Sequence, residues 1–330
     1  FGMWNDFNGL IPIMVGMGVA LGYDALFGFA IIILGIGIGF ASALMNPYTI
    51  VIAQSIAGIP VYSNPEIRIA MFVIFSAMSI WWIFRYGKKI KADPSKSLMA
   101  GEKTKFQFDR DGLVKLKVGT REKLVLADIL VCLIIIMYGF LRSGWGTIEL
   151  TGVFLMMGII AAVIYRWSPN RIAEEFINGC ADIVFGALIV GIARATLVVL
   201  EDGMVIDTII NSMASLLTGL PPAIAAQGML VIETLINFII PSGSGQATTI
   251  IPIMAPLGDL IGVSREMTVL TFQMGDGFSN LLWPTANIAI GCGISGVPIS
   301  KWWKFFVPLF GLMYVVQMLL LVFAQLLLGF

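Results

Sequence analysis

Three clusters of small polar residues lie in apolar surroundings, and they are the groups in this chain whose types and spacing could do chemistry. The first holds Ser42, Asn46 and Thr49, and the second Ser242, Gly243, Ser244, Gly245 and Gln246. The third holds Asp276, Ser279, Asn280, Thr285 and Asn287. Hydroxyls and amides are neutral, so they can exchange water for direct contact with a polar guest without holding a charge in an apolar medium. Each cluster sits beside a helix-breaking proline, Pro47, Pro241 or Pro284. Half-helix N-termini at such breaks offer unpaired N–H groups to an anion, and unwound carbonyls suit a small hard cation. Asp276 is an acid inside an apolar run, where it would join a cation site or a proton relay, or pair structurally with another polar group. Arg194 could hold a substrate carboxylate in its planar fork or snorkel to an interface, with Glu233 as its partner or as a proton carrier. For a single Ser or Thr the competing role is a bond back to the i−4 carbonyl. For Gly277, Gly291 and Gly293 it is close helix approach.

The elements that position these clusters belong in a membrane. The 330 residues are 58% hydrophobic and only 12% charged, where soluble domains run near about 25% charged. Several apolar runs reach the roughly 20 residues that cross a bilayer core, so the fold class is an all-α polytopic membrane protein. Spans are expected at 25–45, 67–86, 124–142, 147–166, 179–200 and 302–330. A half-helix is expected at 48–58 and a short interfacial helix at 169–178. Residues 221–262 read as a re-entrant hairpin whose tip is a loop over Pro241–Gly245. Residues 266–298 read as a helix broken at Trp283–Pro284, and 203–220 as either a span or a surface piece. Loops at membrane depth persist only where protein or a water-filled cavity covers them, which makes the hairpin tip a site.

Twelve of the twenty Lys and Arg fall between Arg85 and Lys123, which places the loop 87–123 in the cytoplasm and the chain in the inner membrane as a multi-pass protein. Formal net charge is zero and suggests no nucleic-acid partner. Histidine is absent, which removes His-type zinc sites and Ser–His or Cys–His dyads. Neither a cofactor nor a resident metal is implied beyond a coupling ion, sodium or proton. Cys132, Cys180 and Cys292 are expected as small buried hydrophobes. The chain begins at Phe1 and reads as a fragment lacking an upstream part.

Self-comparison divides the chain. Ile11-Pro12-Ile13-Met14 recurs as Ile251-Pro252-Ile253-Met254, and Gly39-Phe40 as Gly277-Phe278. Each copy continues through a polar small residue, a proline break and a Gly-Ile-Pro or Gly-Val-Pro at 58–60 and 296–298, then a full span. The span 67–86 ends at the basic loop and so runs inward. Its mate begins at Lys301-Trp302-Trp303-Lys304 and runs outward, leaving the C-terminus outside. Equivalent helices of opposite direction define an inverted repeat, the architecture of secondary transporters with a midplane site. The expected domains are 1–86 (a truncated first repeat), the loop 87–123, and 124–330 (the second repeat).

Asn237-Phe238-Ile239-Ile240-Pro241-Ser242-Gly243-Ser244-Gly245-Gln246-Ala247, Pro252-Ile253-Met254-Ala255-Pro256-Leu257 and Phe272-Gln273-Met274-Gly275-Asp276-Gly277-Phe278-Ser279-Asn280 together resemble the YfcC/DcuC-like carriers of the ion transporter superfamily. Gly22-Tyr23-Asp24, Asn46-Pro47-Tyr48, Ile56-Ala57-Gly58-Ile59 and Ile192-Ala193-Arg194 resemble the same proteins. The resemblance implies inverted repeats and hairpins that reach the membrane centre. It also implies carriage of a C4-dicarboxylate or a basic amino acid, often cation-coupled or by exchange, with a homodimer as an open arrangement. Two other classes remain. An intramembrane aspartyl protease would use Asp24 and Asp259, although Pro256 replaces a glycine of its Gly-x-Gly-Asp motif. A channel or non-transporting scaffold would share the repeats without carrying a substrate.

Overall fold

The computed structural model describes residues 4–327, apart from 45, 47, 103–118, 144, 146 and 286. In chain order the helices are α1 (Ile11–Ala20), α2 (Ala25–Ala41), α3 (Ile50–Ala57), α4 (Pro65–Ala92), α5 (Thr120–Arg142), α6 (Thr147–Ile164) and α7 (Pro169–Asp202). They continue as α8 (Val205–Ser215), α9 (Pro222–Ile239), α10 (Gly243–Ile261), α11 (Arg265–Ser279), α12 (Asn287–Ser295) and α13 (Ile299–Leu327). No strand occurs among the described residues. The chain forms two compact units, Phe1–Phe108 with Phe185–Phe330, and Asp109–Val184.

The smaller unit is built on α5 packed against α6, and Tyr165 donates to Glu122 at 2.9 Å. Its helices expose large apolar side chains, with Ile148 85% exposed and Tyr138 65%. Such a surface is unfavourable in water and is what lipid requires.

In the larger unit α11 is the centre. Every residue from Met267 to Ser279 is buried, and the helix packs on α2, α3, α9, α10 and α13. Two glycines allow this approach: a Cβ on Gly275 would lie 2.4 Å from Glu233 Cβ, and one on Gly277 2.4 Å from Ala41 Cα. The packing recurs with exchanged partners. As α1 lies on α2, α10 lies on α11; as α2 lies on α4, α11 lies on α13. Helix α3 rests on α10 and α11, while α12 rests on α1 and α2. The half-helices α3 and α12 end in the same way, at Gly58 with φ 70° and Gly296 with φ 71°. That left-handed conformation is open to glycine at little cost.

Several expected boundaries move. Only α4, α9 and α13 are long and apolar enough to cross a membrane among the described helices. Helix α2 stops at Ala41, so its 17 residues rise about 25 Å and do not complete the span expected over 25–45. Helix α4 runs on to Ala92, because Lys89 and Lys91 in its last turn complement the helix dipole. Residues 169–202 form one unbroken helix rather than an interfacial piece and a span, since a lone Gly179 weakens a helix without ending it. Helix α8 has 11 residues, too short to span, which resolves 203–220. Cys180 is exposed rather than buried. Of the loop 87–123, residues 103–118 lie outside the described residues.

Candidate functional site

The hairpin reverses over three residues, not five. Helix α9 ends at Ile239, and α10 already begins at Gly243, capped by Ser242, whose Oγ accepts from Gly245 N at 3.3 Å. Gly243, Ser244 and Gly245 therefore form the first turn of α10, where a helix has no acceptors of its own for the leading amides. A Cβ at Gly243 would meet Thr49 Cγ2 at 2.5 Å, Asp276 Oδ2 at 3.1 Å and Phe40 Cζ at 3.3 Å. This one position brings together the hairpin tip, the first helix break and the acid on α11.

From there a buried amide network runs inward. Asn237 on α9 donates from Nδ2 to Asp276 Oδ1 at 2.7 Å and to Gln246 Oε1 at 3.2 Å. Gln246 on α10 in turn donates from Nε2 to Glu233 Oε2 at 2.8 Å and to the Glu233 carbonyl at 3.0 Å. Asn280 donates to Asp276 Oδ1 at 3.2 Å and to the Asp276 carbonyl at 2.7 Å, and Asn287 donates to Asn280 Oδ1 at 3.3 Å. Glu233, Asn237, Gln246, Asp276 and Asn280 are all at most 1% exposed. Among the described residues neither acid forms an ion pair. Among the described residues, four buried oxygens on these elements lack a partner: Ser42 Oγ, Thr49 Oγ1, Glu233 Oε1 and Asn237 Oδ1. An unsatisfied buried oxygen is costly, and a cluster of them is a place for a cation, a proton or water.

Other expected site residues do structural work. Ser279 bonds back to the Gly275 carbonyl at 2.6 Å, the common role of a helix serine. Thr285 donates to the Phe238 carbonyl at 2.8 Å and ties the second break to α9. Asn46 is buried and accepts from Tyr48 N at 2.9 Å. Ser244 pairs with Ser242 near the surface at 3.4 Å. The side chain of Arg194 lies outside the described residues. Helix α11 ends at Ser279, four residues ahead of the expected break, because the Asn280 amide competes for the Asp276 carbonyl.

The breaks are otherwise paired by protein. Gln273 Nε2 donates to the Ala43 carbonyl at 3.0 Å, and the indoles of Trp302 and Trp303 donate to the carbonyls of Leu281 and Leu282 at 2.7 and 2.8 Å. Arg68, 3% exposed, holds Gln273 Oε1 at 2.7 Å and the carbonyls of Ser63 and Asn64. Sequence reasoning did not single out Asn237 or Arg68, and it left Glu233 without a settled partner. The signal for Asn237 was a polar group inside an apolar run, the same one that marked Asp276. Asp24 and Asp259 occupy separate local roles. Asp24 caps α2 by accepting from Phe27 N at 2.8 Å and also receives Tyr86 and Ser97, while Asp259 forms a surface ion pair with Arg265 at 2.8 Å.

The sequence profile of the C4-dicarboxylate anaerobic carriers, DcuC, matches residues 8–326. The chain is 34% identical over 339 residues to the protein named "Putative basic amino acid antiporter YfcC" of Escherichia coli (strain K12), covering 99% of this chain and 67% of that one. It is 33% identical over 317 residues to an uncharacterized protein of Haemophilus influenzae, covering 94% of this chain and 62% of that one. The chain thus spans about two thirds of the length of these relatives. No solved structure matches it.

Proposed function

This chain belongs to the C4-dicarboxylate anaerobic carrier family, and from that premise we propose that it forms most of a secondary active transporter of a small carboxylate-bearing metabolite, either a C4-dicarboxylate or a basic amino acid. The carriage is coupled to a cation or runs by exchange, and access alternates around the site between the hairpin tip and the two breaks. The observation that supports coupling most directly is the pair Asp276 and Glu233, buried carboxyls served by amides and, among the described residues, by no cationic side chain. A buried ionised carboxyl needs a compensating charge, and a transported sodium ion or proton would supply it. The orphan oxygens of Thr49 and Asn237 lie on residues that adjoin Asp276 or its Gly243 neighbour and suit that ion. The leading amides of α10, at Gly243 and Ser244, suit a substrate carboxylate.

The exchanged packing of α1–α4 against α10–α13 supports the inverted repeat, in which α1 answers α10 and the first-repeat counterpart of α9 would precede Ile11. The basic residues from Arg85 onward favour a cytoplasmic loop in an inner-membrane protein.

Proteoliposomes carrying the protein from its full-length gene test this reading, with labelled dicarboxylate and labelled arginine each offered under imposed sodium or proton gradients. Saturable, gradient-responsive uptake of one of them is expected, with Asp276→Asn abolishing the gradient response and Ser244→Ala or Asn280→Ala weakening uptake in protein that still inserts. Linear, gradient-independent flux would favour a channel. Unchanged kinetics in the Asp276, Ser244 and Asn280 variants would remove the site.

A further inference from the structure

Away from the hairpin, a cavity of about 350 Å³ opens between α4 and the start of α13. Trp82, Arg85, Tyr86 and Lys89 follow one another at i, i+3, i+4 and i+7, so one stripe of α4 forms a wall, and Lys304 and Phe305 of α13 form the other. The floor is fixed. Trp82 Nε1 donates to the Phe305 carbonyl at 3.1 Å, the Tyr86 and Phe305 rings meet edge to face at 5.2 Å, and the Tyr86 hydroxyl accepts from Leu98 N at 3.1 Å.

The cations have no carboxylate partner among the described residues. The nearby acids are engaged elsewhere: Asp93 with Lys96 at 3.2 Å, Glu102 with Lys301 at 3.5 Å, and Asp24 with Tyr86, Ser97 and Phe27 N. Arg85 lies over the Trp81 ring at 5.6 Å, which leaves its N–H groups free of a carboxylate. Lys304 also sits near the N-terminus of α13, whose first turn holds no acid, so the helix dipole adds to the positive potential. Three cations facing an aromatic-walled cavity are repulsive until an anion enters.

We propose that this cavity binds the phosphate headgroup of an anionic phospholipid, with Arg85, Lys89 and Lys304 on the phosphate and Trp82, Tyr86 and Phe305 along the glycerol and upper acyl chain. Its place selects a lipid over a soluble anion. Both walls are helices long and apolar enough to cross a membrane, and the tryptophans around them mark an interface, where a headgroup and its chain meet these two kinds of wall together. The site is separate from Asp276 and does not depend on the transport reading.

Delipidated full-length protein in detergent tests it by native mass spectrometry and titration with phosphatidylglycerol, phosphatidylcholine and inorganic phosphate. Phosphatidylglycerol is expected to bind, with phosphatidylcholine and free phosphate at least about tenfold weaker. Arg85→Gln, Lys89→Gln and Lys304→Gln should each weaken phosphatidylglycerol about fivefold, and together about 100-fold. The charge-keeping set Arg85→Lys, Lys89→Arg and Lys304→Arg should stay near wild type, as should Lys301→Gln. Equal binding of the neutral and the anionic lipid overturns the proposal, as does binding unchanged in the triple neutral variant. Free phosphate binding as tightly as the lipid would make it a soluble-anion site and overturn the lipid assignment. Should the triple variant fail to fold, the three-ligand comparison on unaltered protein still decides.

Discussion

Gln246→Leu keeps the volume of a fully buried side chain and removes its amide. Three hydrogen bonds go with it: two donated to Glu233, at 2.8 Å to Oε2 and 3.0 Å to the carbonyl, and one accepted from Asn237 at 3.2 Å. A hydrogen bond to a charged group contributes about 1.5–3 kcal/mol and a neutral one about 0.5–1.5 kcal/mol. Asn237 keeps its bond to Asp276, so the loss concentrates on Glu233, whose Oε1 already lacks a partner. The expected destabilisation is about 3 kcal/mol. Placed on Glu233→Gln, the same substitution removes only neutral bonds, so the two made to residue 233 should cost about 2 kcal/mol, a coupling of about 1 kcal/mol between the two positions. Equilibrium unfolding of the four proteins in mixed detergent micelles measures this cycle. A cost for Gln246→Leu that agrees within about 0.5 kcal/mol in both backgrounds would show that the hairpin is not held by this acid–amide contact.

Gly277→Leu should lower the melting temperature of the detergent-solubilised protein, because its Cβ would fall 2.4 Å from Ala41 Cα and backbone cannot yield cheaply; overpacking of this kind costs about 1–3 kcal/mol. An unshifted melt would mean that α11 and α2 do not approach as described. Trp302→Phe retains a ring beside Phe29 and Phe306 but strands the Leu281 carbonyl, and about 1–3 kcal/mol of stability should go with it. Trp303→Phe, half-buried, should lose less in the same assay, and equal losses would remove burial as the reason.

The helix breaks were legible because proline and glycine act locally: Pro241 lies between α9 and α10, and Pro284 between α11 and α12. So was Asp276, since an acid in an apolar run stands out without knowing what it touches. Its partners were harder to read. Gln246 and Glu233 are 13 residues apart and meet only when the hairpin closes, and Arg68 and Gln273 are 205 apart. Arg68 stands near the start of the span expected over 67–86, and composition reports hydrophobicity and not which side faces protein. The unbroken α7 was misjudged for the opposite reason. A mixed polar segment followed by an apolar one suggests two elements, yet no proline separates them and the backbone bonds simply continue.

The burial of α11 on every side also bears on how the protein is made. Its sequence carries Arg265, Glu266, Thr268, Thr271, Gln273, Asp276 and Ser279 within fifteen residues. An acid at a helix centre costs about 2.5–3.5 kcal/mol to place in lipid on insertion scales, and few leucines are present to offset it. The helix is therefore a poor candidate for release from a translocon by itself. It can leave only into a sheath already formed by α2 and α9, which are synthesised before it and pack directly on it. Nascent chains stalled far enough past Ser279 for α11 to have left the ribosome should thus crosslink from α11 to those earlier helices rather than to lipid; crosslinks to lipid alone would contradict this order. The most polar of the described helices enters the bilayer as a guest of its own protein.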